Sequence, residues 1–323
     1  MKLTRREAIV GASSLFATRA FGADAWPSRL IKIVVPFAAG GPTDFVARLL
    51  AGPLAAELGQ QVIIENRPGA SGNVGAQAVA DAEPDGYTLV HTTIATQALN
   101  PILFPNSKLR PLNDLVAVGT TAALPNVLVT QPSNIDVSSV RQLVELGKKK
   151  SLNYGTFGHG TSPHLLSLLL QKKANFQAVA VAYRGSAPAL TDLISGQIDY
   201  LFDNITTSAQ QIKAGTVRGL AITSATRSST LPDLPTMKEA GFDGFDLNFG
   251  FSLMAPVRTP AAILSKLRSA FDTVANAPSY ANELRARGAE PLIVAQGNLK
   301  GFMERETERW VEVAQQINLT PSN

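Results

Sequence analysis

The sequence predicts an α/β fold of two domains, each a mostly parallel sheet flanked by helices. Two observations predict it. Continuous apolar strands alternate with helical spacing from residue 31 onward. One device, a strand that runs through a glycine loop into a helix start, occurs once in each half of the chain. The 323 residues suffice for two domains of ordinary size.

The first device is Ile31-Lys-Ile-Val-Val-Pro-Phe37, an apolar strand of the buried parallel type, followed by Ala38-Ala-Gly-Gly-Pro-Thr-Asp44. A helix from about Phe45 keeps Val46, Leu49, Leu50, Leu54 and Leu58 on one face and stops at Gly59. Residues 62–65 read as a second strand. The polar glycine loop 66–75 leads into a small-residue helix, 76–82. Pro84-Asp-Gly86 is a turn before a third strand, 87–91, and repeated βα units argue for a doubly wound sheet. Residues 127–130 read as an extended segment leaving this domain.

The second half opens with a helix over 137–149, a strand over 152–156, and the second device. That device is Tyr154-Gly-Thr-Phe-Gly-His-Gly-Thr-Ser162, with a helix from Pro163. Residues 179–183 form a strand. Arg184-Gly-Ser-Ala-Pro188 opens a helix with Ser186 as N-cap and Pro188 in the first turn. A turn and strand over 196–203, a strand over 219–223 and a proline-stiffened loop over 231–236 follow. Residues 249–255 read as a return strand, and 260–275 and 299–317 as amphipathic helices. The expected division is a first domain of 26–127 plus 248–323 around a second of 128–247.

A helix start offers unpaired N–H groups and a partial positive charge, so it holds an anion. Each loop alone also fits an ordinary βα turn. Two together suggest a cleft that grips an anion from both sides.

Composition excludes several classes. Residues 1–22 read as a signal peptide, with the boundary at 22–25. Met1-Lys-Leu-Thr-Arg-Arg6 is basic, 8–17 is apolar, and Ala20-Phe-Gly22 or Ala23-Asp-Ala25 offers small residues for cleavage. Thr4-Arg5-Arg6 and the later Arg19 resemble a twin-arginine signal. Ordinary signals also begin with basic pairs, so both export routes stay open. The leader takes Lys2, Arg5, Arg6, Arg19 and Glu7 out of 29 basic and 25 acidic residues, leaving a net charge of +1. No nucleic-acid footprint survives, since Lys148-Lys-Lys150 reads as a solvated helix end. No apolar run beyond residue 25 reaches the ~18 residues a membrane span needs. There is no cysteine, which in an exported protein suits a bacterial periplasm.

Enzyme motifs are missing after the leader: no Gly-x-Ser-x-Gly elbow, no Walker A sequence, no His-Glu-x-x-His. Gly69-Ala-Ser-Gly-Asn-Val-Gly75 has the wrong spacing for a dinucleotide fingerprint. The three histidines show no metal-ligand spacing, and neither metal nor cofactor is expected.

Five stretches, in order, carry a family resemblance. They are Lys32-Ile-Val-Val-Pro-Phe-Ala-Ala-Gly-Gly-Pro-Thr-Asp-Phe-Val-Ala-Arg48, Val62-Ile-Ile-Glu-Asn-Arg-Pro-Gly-Ala-Ser-Gly-Asn-Val-Gly-Ala76, Pro84-Asp-Gly-Tyr-Thr-Leu89, Tyr183-Arg-Gly-Ser-Ala-Pro-Ala-Leu-Thr-Asp-Leu-Ile-Ser-Gly-Gln-Ile-Asp199, and Leu231-Pro-Asp-Leu-Pro-Thr236 with Glu239-Ala-Gly241. The chain resembles the periplasmic solute-binding proteins of tripartite tricarboxylate transporters, the group also known as Bordetella uptake proteins. The resemblance implies a two-domain periplasmic binding protein, a type II-like flytrap that closes on a small organic carboxylate. It implies delivery to a membrane permease of one large and one small subunit, and a monomer. An alternative is a liganded protein that engages a membrane sensor kinase.

The resemblance also implies ligand contacts, made mostly through backbone amides and ordered water. The first loop supplies Phe37, Ala38, Ala39, Gly40, Gly41, Thr43 and Asp44. The second supplies Thr156, Phe157, Gly158, His159, Gly160 and Thr161. Thr93, Thr96, Tyr183, Asp203 and Asn204 match other cleft positions. The chain departs from the family pattern at Leu109-Arg-Pro111, where Tyr-Asp-Pro is usual, at Phe249, where tryptophan is common, and at Phe157 and His159, where small residues are usual.

Several of these residues have two readings. Asp44 caps its helix or accepts from ligand or water. Phe37 is core or cleft wall, and the resemblance favours the wall. Phe157 tucks under its loop or faces ligand. His164, in a first helical turn, reads as structural, while His159 could donate to a carboxylate. Valine at Gly41 is expected to harm binding through bulk and through loss of φ > 0. Phe37, Phe157 and Phe249 converging on the cleft would favour an aromatic or aliphatic dicarboxylate with an apolar middle over a citrate-like ligand.

Overall fold

The computed structural model describes residues 26–247 and 249–321; the leader reading falls on residues outside these. In chain order the elements begin β1 (Ile31–Val35), α1 (Pro42–Leu58), β2 (Val62–Asn66), α2 (Asn73–Ala80), β3 (Thr88–Thr93), α3 (Ile94–Leu103), α4 (Pro111–Asp114) and β4 (Leu115–Leu124). Then come β5 (Asn126–Thr130), α5 (Val140–Lys149), β6 (Leu152–Thr156), α6 (Ser162–Ala174), β7 (Ala178–Ala182), α7 (Ser186–Ile194), β8 (Tyr200–Asn204), α8 (Ile205–Lys213) and β9 (Arg218–Ile222). The chain closes with β10 (Phe249–Pro256), α9 (Ala261–Ala275), α10 (Pro278–Ala286), β11 (Glu290–Pro291) and α11 (Gln296–Gln316).

The strands make two helix-flanked sheets, ordered β11-β4-β10-β3-β1-β2 and β7-β6-β8-β5-β9. The strands read as βα units are parallel. Ile33 pairs with Ile64 on β2 and Leu89 on β3, and Tyr154 pairs with Ala180 on β7 and Tyr200 on β8. Most strands of each sheet run one way, with β10 and β11 reversed in the first and β5 in the second. β10 runs antiparallel to β3 and β4, and β5 antiparallel to β8 and β9. The cause is connectivity, because a parallel neighbour needs a crossover, usually a helix. β4 passes into β5 across Pro125 alone, and so changes sheet without one.

Strand β4 escaped the sequence reading. Its Leu-Val-Ala-Val-Gly-Thr-Thr-Ala-Ala-Leu run mixes small and polar residues, yet most of it is buried between neighbours. Helix α1 begins at Pro42, earlier than expected, with proline in the first turn, where its missing N–H costs nothing.

In the first half, α1 and α9 pack Leu50, Leu54, Leu267 and Phe271 against Ile33, Phe251 and Leu253 of the sheet. Each such side chain contributes roughly 1.5–3 kcal/mol on burial. The core of the second half admits elements of the first. Leu99 and Leu103 of α3 and Trp310 and Ala314 of α11 share one cluster with Leu165, Leu166 and Leu170 of α6. The two halves are thus joined by apolar packing as well as by chain crossings.

Candidate ligand-binding site

Five helices start around one cavity. Its lining takes Gly41, Pro42 and Thr43 from the start of α1, Thr93 and Thr96 from α3, and Thr161 and Ser162 from α6. Gly185 and Ser186 come from α7 and Asn204 from α8. Parallel strands explain the convergence, since each βα unit delivers its helix start at the carboxyl edge of the sheet. The walls are the rings of Phe37, Phe157, Phe249 and Phe251. No charged side chain is among the described lining residues. An anion here would meet first-turn N–H groups and helix-dipole charge rather than arginine or lysine.

The first loop is held by Asp44. Its Oδ2 accepts from the Gly40 N–H at 3.0 Å and Arg48 Nε at 2.9 Å, and its Oδ1 from Asn66 Nδ2 at 2.9 Å. Asn66 Nδ2 also donates to the Phe37 carbonyl at 3.1 Å. Burial pushes the Asp44 carboxyl up, but the bonds from Arg48, Gly40 and Asn66 outweigh it and hold it below the usual range. Of the two readings, Asp44 follows the structural one: it ties the loop to the helix start. The positive φ lies at Gly40 (80°), whereas Gly41 sits at −83°. The expectation for Gly41 is corrected accordingly. What Gly41 supplies is room, since a Cβ there would lie 3.5 Å from the Ala38 carbonyl and 3.8 Å from Ser186 Cβ.

The second loop is held by hydroxyls and a histidine. Thr156 Oγ1 and Thr161 Oγ1 both donate to the Gly158 carbonyl, at 2.9 and 2.6 Å. The Gly160 N–H donates to His164 Nδ1 at 3.2 Å, so His164 is structural as read, and burial holds it neutral with its pKa lowered to about 3. Phe157 is buried, packs with Phe37 and lines the cavity.

Behind the walls the rings are themselves supported. Phe249 stacks on Trp310 with centroids 4.7 Å apart, and Phe251 on His91 at 5.9 Å. His91 is fully buried between the Thr43 carbonyl at 3.1 Å and Thr121 Oγ1 at 3.0 Å, and burial lowers its pKa to about 4.

Of the residues expected at the site, Phe37, Gly41, Thr43, Thr93, Thr96, Phe157, Thr161 and Asn204 line the cavity. Thr156, Gly158, His159 and Tyr183 line a second space on the other side of Phe37 and Phe157. His159 turns its Nε2 to the Thr320 carbonyl at 2.9 Å, which engages the donor foreseen for a carboxylate. Tyr183 donates its hydroxyl to Asp192 at 2.8 Å, and burial and that carboxylate push its pKa up to about 12. The Ala38 N–H is engaged across the cleft with the Arg184 carbonyl at 2.9 Å. Ala39 and Gly40 are exposed, and Gly160 backs the second loop.

Asp203 lies one layer behind. It is fully buried, accepts from Ser186 Oγ at 2.6 Å and from Thr207 Oγ1, and burial pushes its pKa up to about 6. Sequence reasoning missed Pro42, Ser162, Gly185, Ser186 and Phe251. It also placed the α7 N-cap at Ser186, where the helix caps at Gly185 (φ 154°). The available signal was positional: a third βα turn, at 183–186, follows β7 and ends at the same sheet edge as the second loop.

Two helix-flanked sheets around a cavity of helix starts define a solute-binding receptor of the periplasmic binding protein class. The chain belongs to the TctC family, the tripartite tricarboxylate transporter family receptors, whose pattern matches residues 46–319. It is 34% identical over 321 residues to protein BugT of Bordetella pertussis, covering 98% of each chain. Among solved structures it resembles Rpa4515 of R. palustris with adipate, at 35% identity and a TM-score of 0.87, covering 92% of this chain and 99% of that one. It also resembles MatC of Rhodopseudomonas palustris with bound malate, at 32% identity and a TM-score of 0.82, covering 89% and 99%.

Proposed function

We propose that this protein captures a small organic carboxylate, an aliphatic or aromatic dicarboxylate with an apolar middle, between its two halves. The observation that carries the reading is a cavity with helix starts around it and four phenylalanine rings as walls. Helix starts stabilise an anion without a countercharge, while rings favour a hydrocarbon and disfavour the many charges of a citrate-like ligand. The adipate and malate in the related structures support the carboxylate class. The site residues are those named above, with Gly185 and Ser186 added.

The halves act as two domains, 26–127 with 248–323, and 128–247, closing on the ligand. The protein works as a monomer after export to the periplasm, by the general or the twin-arginine route. It hands its ligand to a permease of one large and one small subunit. It binds and releases its ligand, in keeping with its place in a family of transporter receptors.

The test is calorimetric titration of hexanedioate, a terephthalate-type diacid and citrate into wild type and Phe157→Ser. Binding of a diacid with an apolar middle, weakened several-fold by the substitution, is expected. Tight citrate binding that ignores the substitution contradicts the reading.

A further inference from the structure

The Asp203 carboxylate decides which way the Ser186 hydroxyl points. An ionised carboxylate only accepts hydrogen bonds, and a serine has one proton to give. That proton goes to Asp203 Oδ1 at 2.6 Å or to Thr207 Oγ1 at 3.0 Å, both behind the lining, while Thr207 Oγ1 donates to Oδ2. Ser186 Oγ, on the cavity lining, therefore offers the ligand lone pairs and no proton.

Its neighbours on the same side behave alike. Ser162 Oγ donates to Asn126 Oδ1 at 3.3 Å, and Thr161 Oγ1 to the Gly158 carbonyl at 2.6 Å. On this side the three hydroxyl oxygens have given away their protons, and the donors left are backbone N–H groups and the Asn204 amide, one of whose N–H bonds goes to Asn126 Oδ1. Ser186 and Ala187 are the first two residues of α7, whose N–H groups have no intrahelical acceptor.

A carboxylate bound on those two N–H groups would place its adjacent carbon near Ser186 Oγ. A hydroxyl or ammonium on that carbon would complete a chain of donors ending on Asp203. A bare methylene there would leave the oxygen unpaired once the ligand covers it, and a second carboxylate oxygen would repel it. Ammonium would add a second benefit. Asp203 is fully buried, and its contacts are two hydroxyls and a backbone N–H, with no cation among them.

We infer that Ser186, oriented by Asp203, is the specificity-determining group of the cavity, selecting a carboxylate with a hydrogen-bond donor on the adjacent carbon over the unsubstituted acid. This rests on the reading of the cavity as a carboxylate site. Asp203 is the positioning residue.

The experiment is calorimetric titration of hexanedioate, 2-hydroxyhexanedioate and 2-aminohexanedioate into wild type, Ser186→Ala and Asp203→Asn. In wild type at least one substituted acid should bind about tenfold more tightly than hexanedioate, the scale of one well-made hydrogen bond. The hydroxy and amino arms distinguish a neutral from a cationic donor. Both variants should bring that ratio close to one, whatever they do to the affinity for hexanedioate itself. A purely structural role would weaken all three acids together. A ratio of one in wild type, or a ratio unchanged in folded Ser186→Ala, overturns the inference while leaving the carboxylate reading intact. Binding of none of the three sinks both.

Discussion

The backbone N–H of Ala38 donates to the carbonyl of Arg184 at 2.9 Å, joining the loop after β1 to the turn before α7 across the cleft. The contact is peptide to peptide, so it depends on how closely the chains approach rather than on a side-chain pair. Gly185 permits that approach. Its φ is 154°, and a Cβ there would lie 3.2 Å from both the N and Cβ of Ala38.

Gly185→Ala should therefore impair closure more than folding. The contact with Ala38 crosses the cleft and so falls on the closed arrangement, a penalty on the order of 1–2 kcal/mol. Ligand affinity should drop about tenfold by calorimetry with little change in melting temperature. An equal loss of stability without ligand would show that the strain lies within one half.

Asp44→Ala should destabilise the first loop. It removes the acceptor for Gly40, Arg48 and Asn66 from a site that is 4% exposed. The expected cost is about 1–3 kcal/mol in urea unfolding, with weaker ligand binding because α1 loses its fixed start. Stability unchanged by the substitution would contradict the role given to this residue.

Acid should destabilise the protein, and Asp203 should blunt the effect. Burial lowers His91 to about 4 and, with His159 nearby, His164 to about 3, below the ordinary 6.5. Their contribution is full above pH 6.5 and is lost as pH falls through the folded values. Asp203 is raised to about 6 from an ordinary 3.8, so its contribution has the opposite sign, full at low pH and lost as pH rises through 6. Asp203→Asn should thus make the fall in melting temperature between pH 6 and 4 steeper than in wild type. A shallower fall would overturn the assignment.

What was legible in the sequence follows periodicity. β1, β6 and the helices after them announce themselves by apolar runs and glycine punctuation, and both site loops were found that way. β4 was hidden because tertiary packing buries its alanines and threonines, which carry no strand pattern of their own. Gly185 and Ser186 were read as punctuation, since nothing local says that a turn faces a cavity. His159 shows the limit of position: it lies in a site loop, yet its ring reaches Thr320 in the C-terminal segment. Phe157 was an outlier in composition, and its place on the cavity wall explains why an apolar ring stands in a glycine-rich loop.

On the proposed reading, helix starts hold the carboxylate without a charged side chain. An alanine scan of every arginine and lysine, with hexanedioate affinity measured beside Gly41→Val, tests it most directly. Gly41 has room for no more than a small side chain near Ser186 and the Ala38 carbonyl, so valine should cost far more affinity than any single cation. One arginine or lysine whose removal abolishes binding while the protein stays folded would contradict the account.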